Sequence, residues 1–292
     1  MMLLAVLPSL VTAREPVLPD FHADPSARVQ PDGRLYVYPT RDPIGARNWK
    51  GMVEWPVFST TDMKTWTDHG VAFSLEDLTW AKEEAWAADC IARDGKYYFY
   101  FAAAAQIGVA VSESPTGPFK DALGAPIIKQ NEAGIRWMID PAVFLDDDGQ
   151  AYLFAGGARK LGVVKLEPDM ITRDGPFQRV EMPEFYEGVC VHKRGEFYYA
   201  SYPTRPEGKD SRANRMVYSM AKSPLGPWEF KGEIIDNDSH NVHGSIVAFK
   251  GNDYLFYHVQ GPSNWERRVY FEPIRYEPDG TIQPLAKVSR TR

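Results

Sequence analysis

The sequence predicts an all-β fold, a single-domain five-bladed β-propeller, on three observations. An aromatic hairpin return is repeated five times, a polar residue heads the strand before each return, and no stretch carries a sustained helical period. Composition agrees. Thirteen per cent aromatics with 23 Gly and 23 Pro favours many short strands joined by tight turns, because aromatics fit pleated surfaces and Gly and Pro punctuate turns. At 292 residues, 44% of them hydrophobic, the chain is long enough to bury a full core.

Each return begins at a glycine turn. In chain order these are Leu35 to Tyr38 after Gly33, Lys96 to Tyr100 after Gly95, Gln150 to Phe154 after Gly149, Glu196 to Tyr199 after Gly195, and Asn252 to Tyr257 after Gly251. The glycines are 62, 54, 46 and 56 residues apart, a spacing that fits one four-stranded blade per repeat. The polar residues heading the preceding strands are Asp24, Asp89, Asp140, Glu187 and His243, six to nine residues before their glycines. If each of these strands is the innermost of its blade, all five side chains meet at one end of a common axis.

A second repeat supports the outer strands. Val111 to Phe119 recurs as Met220 to Trp228, with Phe58 to Trp66 a looser cousin, and each supplies an outer-blade turn after an apolar strand. Long loops are expected at Arg41 to Val53, Leu75 to Ala85, Gly124 to Trp137 and Thr204 to Arg215, and long loops on a rigid scaffold commonly shape a binding site. Residues 14–292 form the propeller, which leaves no room for a second domain. The apolar residues 1–13 end in small side chains but lack a basic region, so they read either as a secretion signal or as an apolar leader packed on the domain. The first reading places the protein outside the cell or in the periplasm, the second in the cytoplasm. No stretch is long and apolar enough for a membrane span.

A net charge of -6 without a Lys/Arg cluster argues against nucleic acid, which requires a basic face. Cys90 and Cys190 are too few for a disulfide framework and lack metal-ligand spacing, so they read as buried thiols.

Three of the strand heads are carboxylic acids: Asp24, Asp140 and Glu187. Two carboxyls across an acetal, one protonated and one ionised, are what hydrolysis of a glycosidic bond requires, and crowding of like charges drives their pKa values apart. An Asp before Pro, as at Asp24 and Asp140, is by itself most often a turn residue, and a lone histidine is most often structural. Their matching places in successive repeats point to chemistry.

Ala23-Asp24-Pro25-Ser26, Trp86-Ala87-Ala88-Asp89-Cys90, Ile139-Asp140-Pro141-Ala142-Val143-Phe144, Tyr186-Glu187-Gly188 and His243-Gly244-Ser245-Ile246 resemble, in order, the blade-start signatures of glycoside hydrolase family 43. The likeness covers roughly residues 20 to 285. It departs at Ala88 and Val189, where the family often has Pro. The resemblance implies inverting hydrolysis releasing terminal α-L-arabinofuranose or β-D-xylose from arabinose- or xylose-containing glycans. It makes Asp24 the general base, Glu187 the general acid and Asp140 the residue that tunes and orients that acid. No cofactor is required on this reading, although His243 is a candidate to hold an axial calcium or sodium ion through water.

Phe21, Trp86 and Trp137 are expected as apolar walls for a sugar ring, and Asp89 and Arg268 as further substrate-binding residues. Arg267 competes with Arg268, since strand alternation sends only one inward. Arg41-Asp42-Pro43 matches a motif of the related fructan-cleaving propellers and is expected to be a loop turn. The rival readings are an endo-arabinanase of the same family and a carbohydrate-binding propeller that has lost catalysis.

Overall fold

A computed structural model describes residues 15–205 and 214–288. The expected leader over 1–13 lies outside these residues, as does the middle of the loop expected between Thr204 and Arg215. The described chain forms nineteen strands in five antiparallel sheets. Blade one is β1 (His22–Val29), β2 (Leu35–Arg41), β3 (Glu54–Thr60) and β4 (Thr67–Ser74). Blade two is β5 (Trp86–Arg93), β6 (Lys96–Ala103), β7 (Gln106–Ser112) and β8 (Lys120–Asp121). Blade three is β9 (Ala142–Leu145), β10 (Ala151–Ala155), β11 (Leu161–Leu166) and β12 (Arg173–Val180). Blade four is β13 (Cys190–Arg194), β14 (Phe197–Thr204), β15 (Asn214–Ala221) and β16 (Glu229–Ser239), and blade five is β17 (Gly244–Phe249), β18 (Asn252–Gln260) and β19 (Arg267–Ile274). All five aromatic returns are second strands, and the three outer-blade turns fall at β3–β4, β7–β8 and β15–β16, as expected.

The local chemistry explains the repeats. In the third blade, Gly149 takes the left-handed conformation, φ +84°, that lets Asp146 and Gln150 close the hairpin, and Tyr152 then pairs directly with Phe144. Inner strands bury both faces against neighbouring blades, so they read as near-continuous apolar runs. The core is accordingly a ring of five clusters, one in each gap between blades. Between blades one and two, Trp55 and Phe73 pack edge-on or tilted against Phe99 and Phe101. Tyr100 and Val109 meet Val143 and Leu153 in the next gap, Phe154 meets Tyr202 in the third, and Met216 meets Tyr257 in the fourth.

The ring closes where its two ends meet. Val37 and Phe58 of the first blade pack against Phe256 and Phe271 of the last, and Leu18 joins them. The N–H of Val17 donates to the Val269 carbonyl at 2.9 Å, so the start of the described chain lies along the outer edge of three-stranded blade five. This pairing covers an edge that would otherwise be open. The irregular segments behave as expected: single 3-10 turns at Trp49–Gly51, Leu75–Asp77 and Glu132–Gly134 each lie in a predicted loop. Both cysteines are buried free thiols.

Candidate active site

Asp24, Asp140, Glu187 and His243 converge on the floor of one pocket of about 270 Å³ at one end of the axis. Two of the acids leave their strands through unusual backbone. Asp24 has φ +50° at a register shift between Ala23 and Ser26, and Asp140 has φ +54° just before β9. Such conformations are costly for non-glycine residues, and the following prolines help hold them. Glu187 lies in the connection before β13, fixed by a bond from the Tyr186 N–H to the Pro203 carbonyl. Gly188 follows it at φ +63°, where an added Cβ would come within 2.8 Å of the His243 ring. Only glycine lets that imidazole reach the floor beside the acids.

The Asp24 carboxylate is heavily solvated by the protein. Thr40 Oγ1 donates to its Oδ2 at 2.7 Å, and Arg267 Nη1 donates to both oxygens at 3.1 and 3.2 Å. His243 Nδ1 stands 3.7 Å from Oδ1. Burial by itself would raise the Asp24 pKa, but the Arg267 charge and the nearby His243 imidazole hold it far below the usual carboxylate range. His258 Nδ1 also lies 3.4 Å from Oδ1, but it is no ion partner. It accepts the Asp24 backbone N–H at 3.0 Å, its Nε2 donates to the Asn241 carbonyl, and burial lowers its pKa to about 3.

Glu187 has the opposite environment. Its one hydrogen bond among the described residues comes from Asn241 Nδ2 to Oε1 at 3.0 Å. Burial, then the charge of Asp140, push its pKa up to about 8 against the pull of His243. Asp140 is itself raised to about 6, chiefly by burial, with His243 opposing and Asp24 adding. His243 is raised above its ordinary value because Asp140, Asp24 and Glu187 outweigh its burial. The floor therefore holds one firmly ionised carboxylate and one carboxylic acid that stays protonated near neutral pH. Asn241 spans them: its Oδ1 accepts from Arg267 while its Nδ2 donates to Glu187.

Trp86 and Trp137 line the pocket as expected, their rings 6.5 Å apart. Three expectations are corrected. Phe21 lies in a separate depression, under the guanidinium of Arg268 at 4.6 Å. Arg268 points outward to the Asp20 carbonyl, and Arg267 is the residue that β19 turns inward. Asp89 does not reach the pocket. β5 begins at Trp86, so Asp89 is three residues, about 10 Å, further along the strand. There it accepts from Arg28, Ser26 Oγ and the Val143 N–H inside a cavity of about 20 Å³ beneath the floor.

That cavity bears on the axial ion. Arg28 projects its guanidinium into it, pairing with both Asp89 oxygens and the Val143 carbonyl. No group of three His, Cys, Asp or Glu side chains suited to a metal occurs among the described residues. A fixed guanidinium in the cavity that His243 also lines does not fit a calcium or sodium ion there, so the expectation that His243 holds such an ion through water is corrected.

Other site residues escaped the sequence reading. Asp42, expected as a turn, is buried, and it accepts from the Arg267 backbone N–H at 3.2 Å, from Nε at 2.9 Å and from Nη2 at 2.7 Å. Burial raises its pKa, yet three N–H donors are what the ionised form satisfies. Trp49 stacks on the same guanidinium, 5.0 Å from ring centroid to Arg267 Cζ. Tyr186 and Arg205 form the opposite wall. Trp49 and Arg205 belong to loops whose length marked them, but loop length does not say which side chain turns inward.

A family model described as glycosyl hydrolases family 43 matches residues 13–282. The chain belongs to this family. It is therefore a glycoside hydrolase with a five-bladed propeller, as its strand-head motifs implied. Relatives include a xylosidase/arabinosidase of Bacteroides ovatus, 32% identical over 90% of this chain and 94% of the relative. Among solved structures, a family 43 β-xylosidase/α-arabinofuranosidase from a compost microbial metagenome, in a calcium-free complex with xylotriose, superposes with TM-score 0.82 at 30% identity, covering 96% of this chain and 98% of its own. An α-L-arabinofuranosidase of Clostridium thermocellum is 36% identical, with TM-score 0.77 over 90% of this chain and 92% of its own.

Proposed function

We propose that this family 43 enzyme releases single terminal pentose units, α-L-arabinofuranose or β-D-xylose, from xylan- or arabinoxylan-type glycans by inverting hydrolysis. One observation carries the reading: the pocket floor divides its acids into an ionised Asp24 and a Glu187 whose pKa, pushed up to about 8, keeps it protonated at neutral pH. Asp24 is the general base that takes a proton from the attacking water. Its low pKa makes it weak in basicity, but Arg267 and Thr40 aim it and keep it free of protons at every working pH. Glu187 is the general acid. Asn241 donates to Oε1, so the proton belongs on Oε2, where it faces the leaving oxygen. Asp140 tunes Glu187 through charge and stays off the reaction path.

The pocket supports exo action. Its volume, about 270 Å³, falls just below the roughly 300–1,000 Å³ of sites for drug-sized ligands, which suits one terminal unit better than a long polymer. Trp86 and Trp137 supply apolar faces for the ring. The relatives' names pair xylosidase with arabinosidase, and both sugars therefore stand as substrates.

The test is a screen of aryl α-L-arabinofuranosides and β-D-xylosides followed by proton NMR of the fresh product. Turnover of at least one, with the first-formed sugar of inverted anomeric configuration, is expected. Retained configuration would overturn the assignment of Asp24 as base, and inertness toward all pentosides would overturn the function.

A further inference from the structure

One wall of the pocket carries charge that the hydrolysis does not use. Arg205 lines the pocket, stacked 4.7 Å from the centroid of Tyr186 with Nη1 donating to the Tyr186 hydroxyl at 2.5 Å. Its Nε is buried without a hydrogen-bond partner in the described structure. Arg159 covers the same ring at 5.9 Å and donates to the Arg205 carbonyl. Across the lip, Arg136 stands 5.9 Å from the centroid of Trp137, and the adjacent Lys160 donates only to the Gly134 carbonyl. The packing of Gly157 against Trp137 and Ile139 brings these loops together. Among the described residues, none of the four cations forms a salt bridge, in a protein whose net charge is -6.

An unpaired cation here works against the reaction. The charge of Arg205 pulls the Glu187 pKa down, whereas the acid must stay protonated. Wall packing alone is equally available to an uncharged side chain. What a guanidinium adds is a planar fork of donors, weakly hydrated and matched to a carboxylate.

We propose that Arg205, backed by Arg159 and faced across the lip by Arg136, is a carboxylate subsite at the pocket lip, and that the glycan this enzyme trims is acidic, with a uronic acid beside the scissile pentose. The proposal rests on the pentose-hydrolase reading. The subsite lies beyond the position of the cleaved sugar, so it acts on affinity for the polymer more than on the bond-breaking step. Its contribution is electrostatic and partly solvent-screened, hence sensitive to salt.

The experiment compares two oligosaccharides that differ only in a uronic acid next to the pentose-bearing unit, with an aryl pentoside as a third substrate. For the wild-type enzyme at low salt, kcat/KM is expected to favour the acidic oligosaccharide about tenfold, mainly through KM, with the preference shrinking at high salt. R205Q should bring the ratio close to one. The double variant R136Q/R159Q, built on exposed side chains, should lower the ratio as well and serves if R205Q fails to fold. A wild-type ratio of one or below, or a ratio unchanged by these substitutions, overturns the subsite. Turnover of the aryl pentoside in that same experiment shows that the hydrolase reading survives, and its absence shows that the underlying function has failed instead.

Discussion

The two carboxyls on opposite walls of the pocket are both buried and have opposite protonation. Asp24, on the wall built by blades one and five, is held by Thr40, by two bonds from Arg267 and by the approach of His243. Glu187, on the wall of blades three and four, has Asn241 and a like-charged neighbour in Asp140. Burial raises the pKa of both, and what differs is the number of donors offered to the charged form. The propeller thus makes a base and an acid from chemically similar groups by deciding which wall has a guanidinium. Arg267 is the asymmetric element, and it reaches the axis only because Asp42, on the edge of the first blade, anchors its far side.

The largest test of this comparison is to disable each wall in turn. E187Q and D24N should each reduce kcat on an unactivated oligosaccharide by about 10²–10⁴-fold, the usual worth of a general acid or base. The two are expected to diverge on an aryl pentoside with a good leaving group, which needs no protonation. There E187Q should recover most of its activity, while D24N should remain low. Equal recovery by both variants, read as kcat on the two substrates, would mean that the walls do not play separate roles.

A smaller effect sharpens the same contrast. The negative charge of Asp140 raises the Glu187 pKa, so removing it must lower that pKa. For the wild type, the alkaline limb of kcat/KM is expected near pH 8, where Glu187 loses its proton. D140N should move this limb down by on the order of one pH unit, with a fall in rate of about twofold at pH 7 and about tenfold at pH 9. A pH profile whose alkaline limb stays in place in D140N would remove Asp140 from the role of tuner.

Much of this was legible in the sequence because repetition amplifies weak signals. One Asp-Pro pair means little, but Asp24, Asp140, Glu187 and His243 at matching points of four repeats all reach the pocket floor. Asp89 stands six residues before its turn glycine where the other four stand eight or nine, and it misses the pocket: β5 starts at Trp86, and the acid lies deeper on the axis with Arg28. The choice between Arg267 and Arg268 was legible only as an alternative. Alternation dictates that one faces in, and which one depends on the pairing register of β19 with β18, a tertiary feature absent from local pattern. Asn241 escapes the sequence reading, and Asp42 reads there only as a turn residue, for a related reason. Each lies in a connecting segment, and its partner is more than twenty residues away in sequence.

Asp42 supplies the last and smallest expected change in rate. Its side chain and that of Arg267 are almost wholly buried, so replacing one partner leaves a buried charge less compensated. Breaking such a pair typically costs about 3–5 kcal/mol, which for D42N corresponds to a fall in Tm on the order of 10 °C. Stability loss alone would not make Asp42 a positioning residue, since any buried ion pair predicts it. The distinguishing readout is kcat on the folded variant, assayed well below its own Tm. Arg267 keeps its direct bonds to Asp24 in D42N but loses the support that fixes its fork. A drop in kcat of several-fold with KM little changed is therefore expected, and the drop should be absent from E187Q/D42N relative to E187Q on substrates where protonation alone is limiting. If kcat of folded D42N equals that of the wild type, Asp42 holds the blade together without aiming the base, and the asymmetry between the walls belongs to Arg267 alone.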